Sequence, residues 1–311
     1  MIGASFDSTK TRLQELLARA DGGKLQLPDF QRGWVWDDDR ICSLLASVSV
    51  SFPIGAVMLL ETGGESIRFK PRPLTGTHER LRQIAPETLI LDGQQRLTSL
   101  YQALMSTVVV ETKDAKGKPI QRWYYLDMKK AVAVDDDREE AVRSVPEDRQ
   151  VKAFGGEITL DVTTPAREYA ADLFPVNRIF RSADWRQAYN KHWNYAPEKI
   201  QLYDEFEREV IKRFEQYQVP VIELKKETPK EWNRTRTAIS TSAAVREACG
   251  SPRKAQRNTS VPDSRTPSRS PGTREAAACL HRALLGLRVL DHVIVTRRSH
   301  FGQGHSLGCM R

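Results

Sequence analysis

The sequence predicts an alternating α/β or α+β fold over roughly its first two-thirds, followed by a basic tail with no core of its own. Three observations carry this. Short β-type runs alternate with helical spacing up to about Leu224. Of the 24 aromatic residues, 23 lie before Asn233. The charge also divides there: Met1 to Trp232 carries 34 Lys+Arg against 36 Asp+Glu, a net of −2, whereas Asn233 to Arg311 carries 14 against 4, a net of +10.

The elements follow in order. Ser8 reads as the N-cap of a first helix with Leu13, Leu16, Leu17 and Ala20 on one face, ending at Gly22-Gly23. A short strand follows at Lys24 to Leu27. Asp37 caps a second helix whose Ile41, Leu44, Leu45 and Val48 fall at i, i+3, i+4 and i+7. Pro53 to Leu60 reads as a strand, Gly63-Gly64 as a turn, and the stretch to Pro86 as a loop with one more strand near Ile67-Arg68-Phe69. Leu89 to Leu91 is a strand that runs through Asp92-Gly93-Gln94-Gln95-Arg96 into a helix carrying Leu97, Leu100, Tyr101 and Leu104. Gln121 to Leu126 has strand composition, and Val134 to Gln150 reads as charged and exposed. A long helix spans about Glu198 to Tyr217, and Val219 to Leu224 is the next strand.

Composition excludes several classes. At 40% hydrophobic and 28% charged, the chain is too apolar for global disorder. The uncharged run from Ile41 to Leu60 has the length of a membrane span, but four serines and the Pro53-Ile54-Gly55 break divide it, so no membrane anchor is expected. Cys42, Cys249, Cys279 and Cys309 have no paired spacing and no leader precedes them, which reads as a reducing, cytoplasmic setting. The six histidines make no metal-ligand cluster. The tail's Ser/Pro/Arg/Thr mixture has no sustained period and reads as disordered apart from one apolar patch, Ala283 to Val295. A genuine tail of this kind would contact polyanions. An out-of-frame stretch of a GC-rich gene has the same composition, and the frameshift is the favoured reading.

Two segments carry chemistry. At the Asp92-Gly93-Gln94-Gln95-Arg96 turn, a glycine between strand and helix lets the backbone approach a ligand, and the helix N–H groups face an anion. Arg96 adds a forked charge, Gln94 and Gln95 neutral donors, and Thr98 and Ser99 first-turn hydroxyls; Asp92 either holds Mg²⁺ or caps the turn. From spacing alone, a purely structural arrangement, with Asp92 capping and Arg96 paired to a carboxylate, is equally open. The second segment is Phe30-Gln31-Arg32 after Pro28, with Trp34 and Trp36 close behind. Gln31 and Arg32 suit base or phosphate contact, whereas the tryptophans suit a core.

In their order and spacing, Pro28-Asp29-Phe30-Gln31-Arg32, Val35-Trp36, Leu44 to Val48, Pro53-Ile54-Gly55 and Leu91 to Leu100 together resemble the N-terminal domain of GmrSD-type, modification-dependent restriction endonucleases. The resemblance is strongest over residues 10 to 105 and extends to Leu224. It implies an α+β, ParB/sulfiredoxin-like small mixed sheet with flanking helices in residues 8–130, the remainder of the family domain, partly helical, in 131–232, and the tail in 233–311. It further implies a module that binds and hydrolyses a nucleoside triphosphate with Mg²⁺ and takes part in defence against phage with modified DNA. Asp92, Gln95 and Arg96 would be catalytic; Gly93, Gln94, Gln95, Arg96 and Thr98 would hold the nucleotide; and Phe30, Gln31 and Arg32 would face the same cleft, contributing to nucleotide contact or to sensing the DNA or its modification. Asp92 would be the Mg²⁺ ligand.

After Val219 to Leu224, the Asn-Thr-Gly-Gly turn and His-Asn-His nuclease that the family normally carries are missing from the sequence. Nuclease activity is therefore not expected of this chain alone; the expected partners are nucleotide, modified DNA, a separate nuclease subunit and, in a homo-oligomer, further copies of the chain. The alternatives are a DNA-binding sensor or ParB-like switch without turnover, and an inactive, truncated fragment.

Overall fold

The computed structural model describes residues 6–64, 69–133 and 138–226. A six-stranded sheet organises them. Its strands are β1 (Phe6–Arg12), β2 (Leu25–Pro28), β3 (Val57–Glu61), β4 (Pro71–Arg72), β5 (Thr88–Asp92) and β12 (Gln218–Leu224), in the order β1-β12-β3-β5-β2-β4. β12 runs parallel to β3 and β2 parallel to β5, whereas β3 and β5 are antiparallel, so the sheet is mixed. Helices α1 (Leu13–Asp21), α2 (Asp38–Ser49) and α3 (Gln94–Leu104) flank it and contribute fully buried Leu13, Leu16, Ile41, Leu45 and Leu100. Burying each such side chain stabilises the fold by roughly 1.5–3 kcal/mol.

A second sheet is built on β7 (Pro119–Asp127). β6 (Val110–Lys113) and β11 (Leu173–Pro175) pair with its two ends, and β8 (Val142–Pro146) pairs along it. β9 (Gln150–Lys152) and β10 (Ile158–Asp161) form a hairpin. Short helices α4 (Met128–Val132), α5 (Arg138–Ala141) and α6 (Pro165–Ala170) connect these strands, and α7 (Ser182–His192), α8 (Pro197–Phe206) and α9 (Lys212–Gln216) close the domain. Phe174, Trp185, Tyr189, Tyr203 and Phe206 form an aromatic cluster; Trp185 stacks on Tyr189 at 5.0 Å and meets Phe174 edge-on at 4.9 Å.

Four expectations are corrected. Ser8 is not an N-cap: it lies in β1, opposite Ile222, and the helix starts at Leu13 without a side-chain cap. The strand expected at Pro53 to Leu60 begins only at Val57, because Gly55 has φ +88° and the carbonyl oxygens of Ile54 and Ala56 turn toward Arg96. Within the stretch read as charged and exposed, Ala141 and Val145 are fully buried and β8 joins the second sheet. The long helix is interrupted by a π-helical turn at Glu207–Ile211, which keeps Phe206, Val210, Ile211 and Phe214 all in the core. Asp37 does cap α2, accepting from the Arg40 N–H at 2.9 Å. Ile67 and Arg68 lie outside the described residues, as does the tail from Asn233, including the Ala283 to Val295 patch.

Candidate functional site

Because β2 and β5 are parallel neighbours, the segments that leave their C-terminal ends emerge at one edge of the sheet. Antiparallel β3 brings its entry segment, Phe52 to Ala56, to the same edge. Clefts beyond the carboxyl ends of parallel strands are where open sheets commonly place ligands.

At this edge, β5 turns into α3 through Gly93, whose φ is +90°. A side chain there would be strained by the backbone conformation, and its Cβ would lie 2.9 Å from Val57 Cγ2. Gly93 offers no side-chain cap, so the first turn of α3 presents its N–H groups unscreened by one.

The segment from Asp29 to Trp36 is fastened onto this turn. Gln94 Nε2 donates to the Arg32 carbonyl at 2.7 Å. Gln95 Nε2 donates to the Gly33 carbonyl at 3.1 Å, while its Oε1 accepts from the Val35 N–H at 2.9 Å. Trp34 Nε1 donates to Ser99 Oγ at 2.9 Å. Gln31 Nε2 ties the segment to the end of β5 through the carbonyls of Ile90 and Leu91, at 2.7 and 3.0 Å. The structure thus joins the two segments singled out in the sequence by direct hydrogen bonds.

The individual residues occupy distinct places. Asp92 has 62% of its side chain exposed and pairs with Arg96 at 3.4 Å. Arg96 is only 20% exposed; it donates to the carbonyl of Ala56 at 3.1 Å and, more closely, to that of Ile54. Gly55, lying between these carbonyls, has no room for a Cβ against the guanidinium. Arg32 is exposed, and among the described residues its side chain has no ion-pair partner. Phe30 is exposed and packs edge-on against Phe69 at 4.9 Å. Thr98 is fully buried, and neither its hydroxyl nor the buried Gln31 Oε1 has a hydrogen-bond partner among the described residues.

Two supports lay outside sequence reasoning. Arg72, on the edge strand β4, donates to the carbonyls of Gln31 and Arg32 at 3.0 and 3.1 Å. The Tyr217 hydroxyl bridges the loop before β3, donating to the Phe52 carbonyl at 2.6 Å and accepting from the Ile54 N–H at 3.1 Å. Neither residue stands in a motif, and nothing local distinguishes it from its neighbours.

The donors that remain fit a phosphate: the N–H groups of the first turn of α3 and the exposed Arg32 guanidinium, since the Gln31, Gln94 and Gln95 amides are bonded to backbone carbonyls. Among the described residues, no group of three His, Cys, Asp or Glu side chains can hold a metal. A Mg²⁺ ion here would rely on Asp92 together with phosphate and water oxygens, a set compatible with that ion's habit. No helix among the described residues is long and apolar enough to cross a membrane.

A family model described as the N-terminal domain of the GmrSD restriction endonuclease matches residues 13–237. The chain is also 31% identical over 193 residues to an uncharacterized protein of Methanocaldococcus jannaschii, covering 60% of this chain and 32% of that relative. It therefore spans about a third of the length of the curated relative it matches.

Proposed function

The chain belongs to the GmrSD restriction endonuclease N-terminal domain family, and from that premise we propose that it is a nucleotide-binding and hydrolysing regulatory module of a modification-dependent restriction system. The observation that carries the reading is the joining of the Asp29 to Trp36 segment to the first turn of α3, which sets Arg32 beside an uncapped helix N-terminus. In this reading, the N–H groups of that turn and Arg32 hold phosphate oxygens and stabilise charge that develops on them. Arg96 fixes the loop before β3 and orients Asp92; Asp92 and Gln95 position the attacking water. Bound Mg²⁺ supplies neutralisation of the phosphate charge, with Asp92 as its protein ligand.

The finer fold reading, a ParB/sulfiredoxin-like sheet, belongs to the same proposal. So do the cytoplasmic setting, modified DNA as the signal sensed by Phe30, Gln31 and Arg32, a nuclease acting from a separate subunit, and assembly of this chain into a homo-oligomer.

The test is phosphate release by the full chain with each common nucleoside triphosphate and Mg²⁺. Arg32→Ala and Asp92→Asn, both at exposed side chains, should each cut turnover at least about 10-fold while the melting temperature holds. Turnover indifferent to both substitutions overturns the assignment. Arg96→Ala is the poorer probe, because it also frees the carbonyls of Ile54 and Ala56. That engagement of Arg96 favours a second reading, a DNA-binding sensor without turnover. Binding of modified DNA with no phosphate release from any nucleotide would support it.

A further inference from the structure

On the second sheet, a cavity of about 310 Å³ opens between β7, α6 and the segment leading into α7. That size is at the lower end of the range for small-molecule sites, roughly 300–1,000 Å³. Its walls are aromatic: Trp123, Tyr125, Tyr169 and Trp185. Three of its lining side chains are buried and polar: Glu168, Gln102 and Ser106. Glu168, 5% exposed, accepts from the Tyr125 hydroxyl at 3.0 Å and from Arg149 at 3.4 Å. Both donors reach Oε1, and the buried Trp185 indole N–H also acts on the carboxylate, leaving about one of its four lone-pair sites for a further donor. Gln102, 6% exposed, has an Nε2 with no hydrogen-bond partner among the described residues. Such an orphaned buried donor costs stability unless something else fills it.

The lining carries more cationic than acidic side chains: Arg149, Arg178 and Arg181 against Asp184 and Glu168. Arg178 and Arg181 both line the cavity and are exposed, and neither forms a salt bridge with a described residue. Arg149 stacks 4.5 Å above the Trp123 ring and is held there in a left-handed backbone conformation, φ +56°. Non-glycine residues in that region carry strain and concentrate at functional sites. Burial pushes the Glu168 carboxyl above its usual range despite the Tyr125 and Arg149 bonds, as at sites kept ready for a ligand.

We propose that this cavity is a second ligand site, distinct from the sheet edge at Gly93, for a planar heteroaromatic ring with N–H donors and an anionic tail, the chemistry of a nucleoside monophosphate. The ring enters between the aromatic walls, its N–H edge meets Glu168, its carbonyl takes the Gln102 amide, and the phosphate rests on Arg178 and Arg181. A free nucleotide and an unstacked nucleotide of a single strand share this chemistry.

The probe is GMP, titrated calorimetrically into the full chain, with ribose 5-phosphate and a short single-stranded oligonucleotide as parallel arms. GMP should bind, and Glu168→Gln or the double change Arg178→Ala with Arg181→Ala should each weaken it at least about 10-fold. Lys116→Ala, in the exposed turn between β6 and β7 and outside both sites, should leave it unchanged. Tight binding in the GMP arm assigns a free nucleotide, whereas tighter binding of the oligonucleotide, still lost in Glu168→Gln, assigns a strand. GMP affinity that falls with Arg32→Ala and survives Glu168→Gln overturns the site, as does ribose 5-phosphate binding as tightly as GMP. Failure here leaves Arg32-dependent phosphate release untouched, so the two readings stand or fall separately.

Discussion

The side-chain amide of Gln94 donates to the carbonyl of Arg32 at 2.7 Å, a bond that spans 62 positions of sequence and holds the two halves of the site together. Gln94→Glu replaces a buried donor with an acceptor facing an acceptor. The expected cost is about 1–3 kcal/mol, with a lower melting temperature. Amide hydrogen exchange over Asp29 to Trp36 should quicken most, since Gln94 anchors that stretch. Unchanged exchange there would show that Gln95 and Trp34 suffice to hold it.

Gly55 and Arg96 make a second coupled pair. Alanine at position 55 meets both a φ of +88° and the Arg96 guanidinium. Left-handed strain alone costs a non-glycine residue about 1–2 kcal/mol, and the contact adds to it. Gly55→Ala should therefore destabilise more than Gly33→Ala, whose Cβ meets nothing within 4 Å. Combined with Arg96→Ala, it should cost less than the two single changes summed, by about 0.5–3 kcal/mol. Urea unfolding of the four chains measures this, and strict additivity would mean that the guanidinium moves aside freely.

The sequence made legible what short-range chemistry decides. Asp37 before a run with Ile41, Leu44, Leu45 and Val48 places α2 because cap and face lie within a few turns of one another. The Gly93 turn is equally local. β1 was invisible because it is an edge strand with no buried residue, paired to a segment more than 200 positions away. β8 was hidden because its buried Val142 and Val145 sit among charges and are recruited by β7. Each chemical segment of the site was readable, but only the family resemblance placed them at one cleft; local spacing could not, since their contact follows from the parallel pairing of β2 with β5. The supports from Arg72 and Tyr217 follow from tertiary geometry alone.

Asp172 gives the fold a pH dependence of definite sign. It is 1% exposed and receives Lys199 at 2.7 Å, Lys129 at 2.9 Å and the Tyr189 hydroxyl at 2.6 Å. Burial alone would raise its pKa, but these three donors prevail and hold it below the usual value. An unfolded aspartate titrates near about 3.9. The contribution of Asp172 is therefore present above that pH and lost as pH falls through the lower folded value. Asp172→Asn should be destabilised at pH 7, and its deficit against the native chain should shrink as pH drops below about 4. Removing one partner of a buried charge cluster costs about 3–5 kcal/mol, so a neutral-pH deficit near zero would contradict the cluster's role.

Glu168 should show the opposite slope. Its folded pKa lies above the unfolded value of about 4.3, chiefly through burial, with Tyr125 and Arg149 offsetting part of the shift. The stability that the protonated carboxyl allows is complete below that pH and is lost as pH rises through the folded value. Glu168→Gln keeps an acceptor for Tyr125 but cannot ionise. The difference in unfolding free energy, variant minus native, should therefore rise between about pH 4.3 and neutrality, moving in the variant's favour. Taking the difference cancels the other carboxylates, including Asp172. A difference that falls over the same interval would mean that Arg149 outweighs burial, and the carboxylate would then be a structural ion pair.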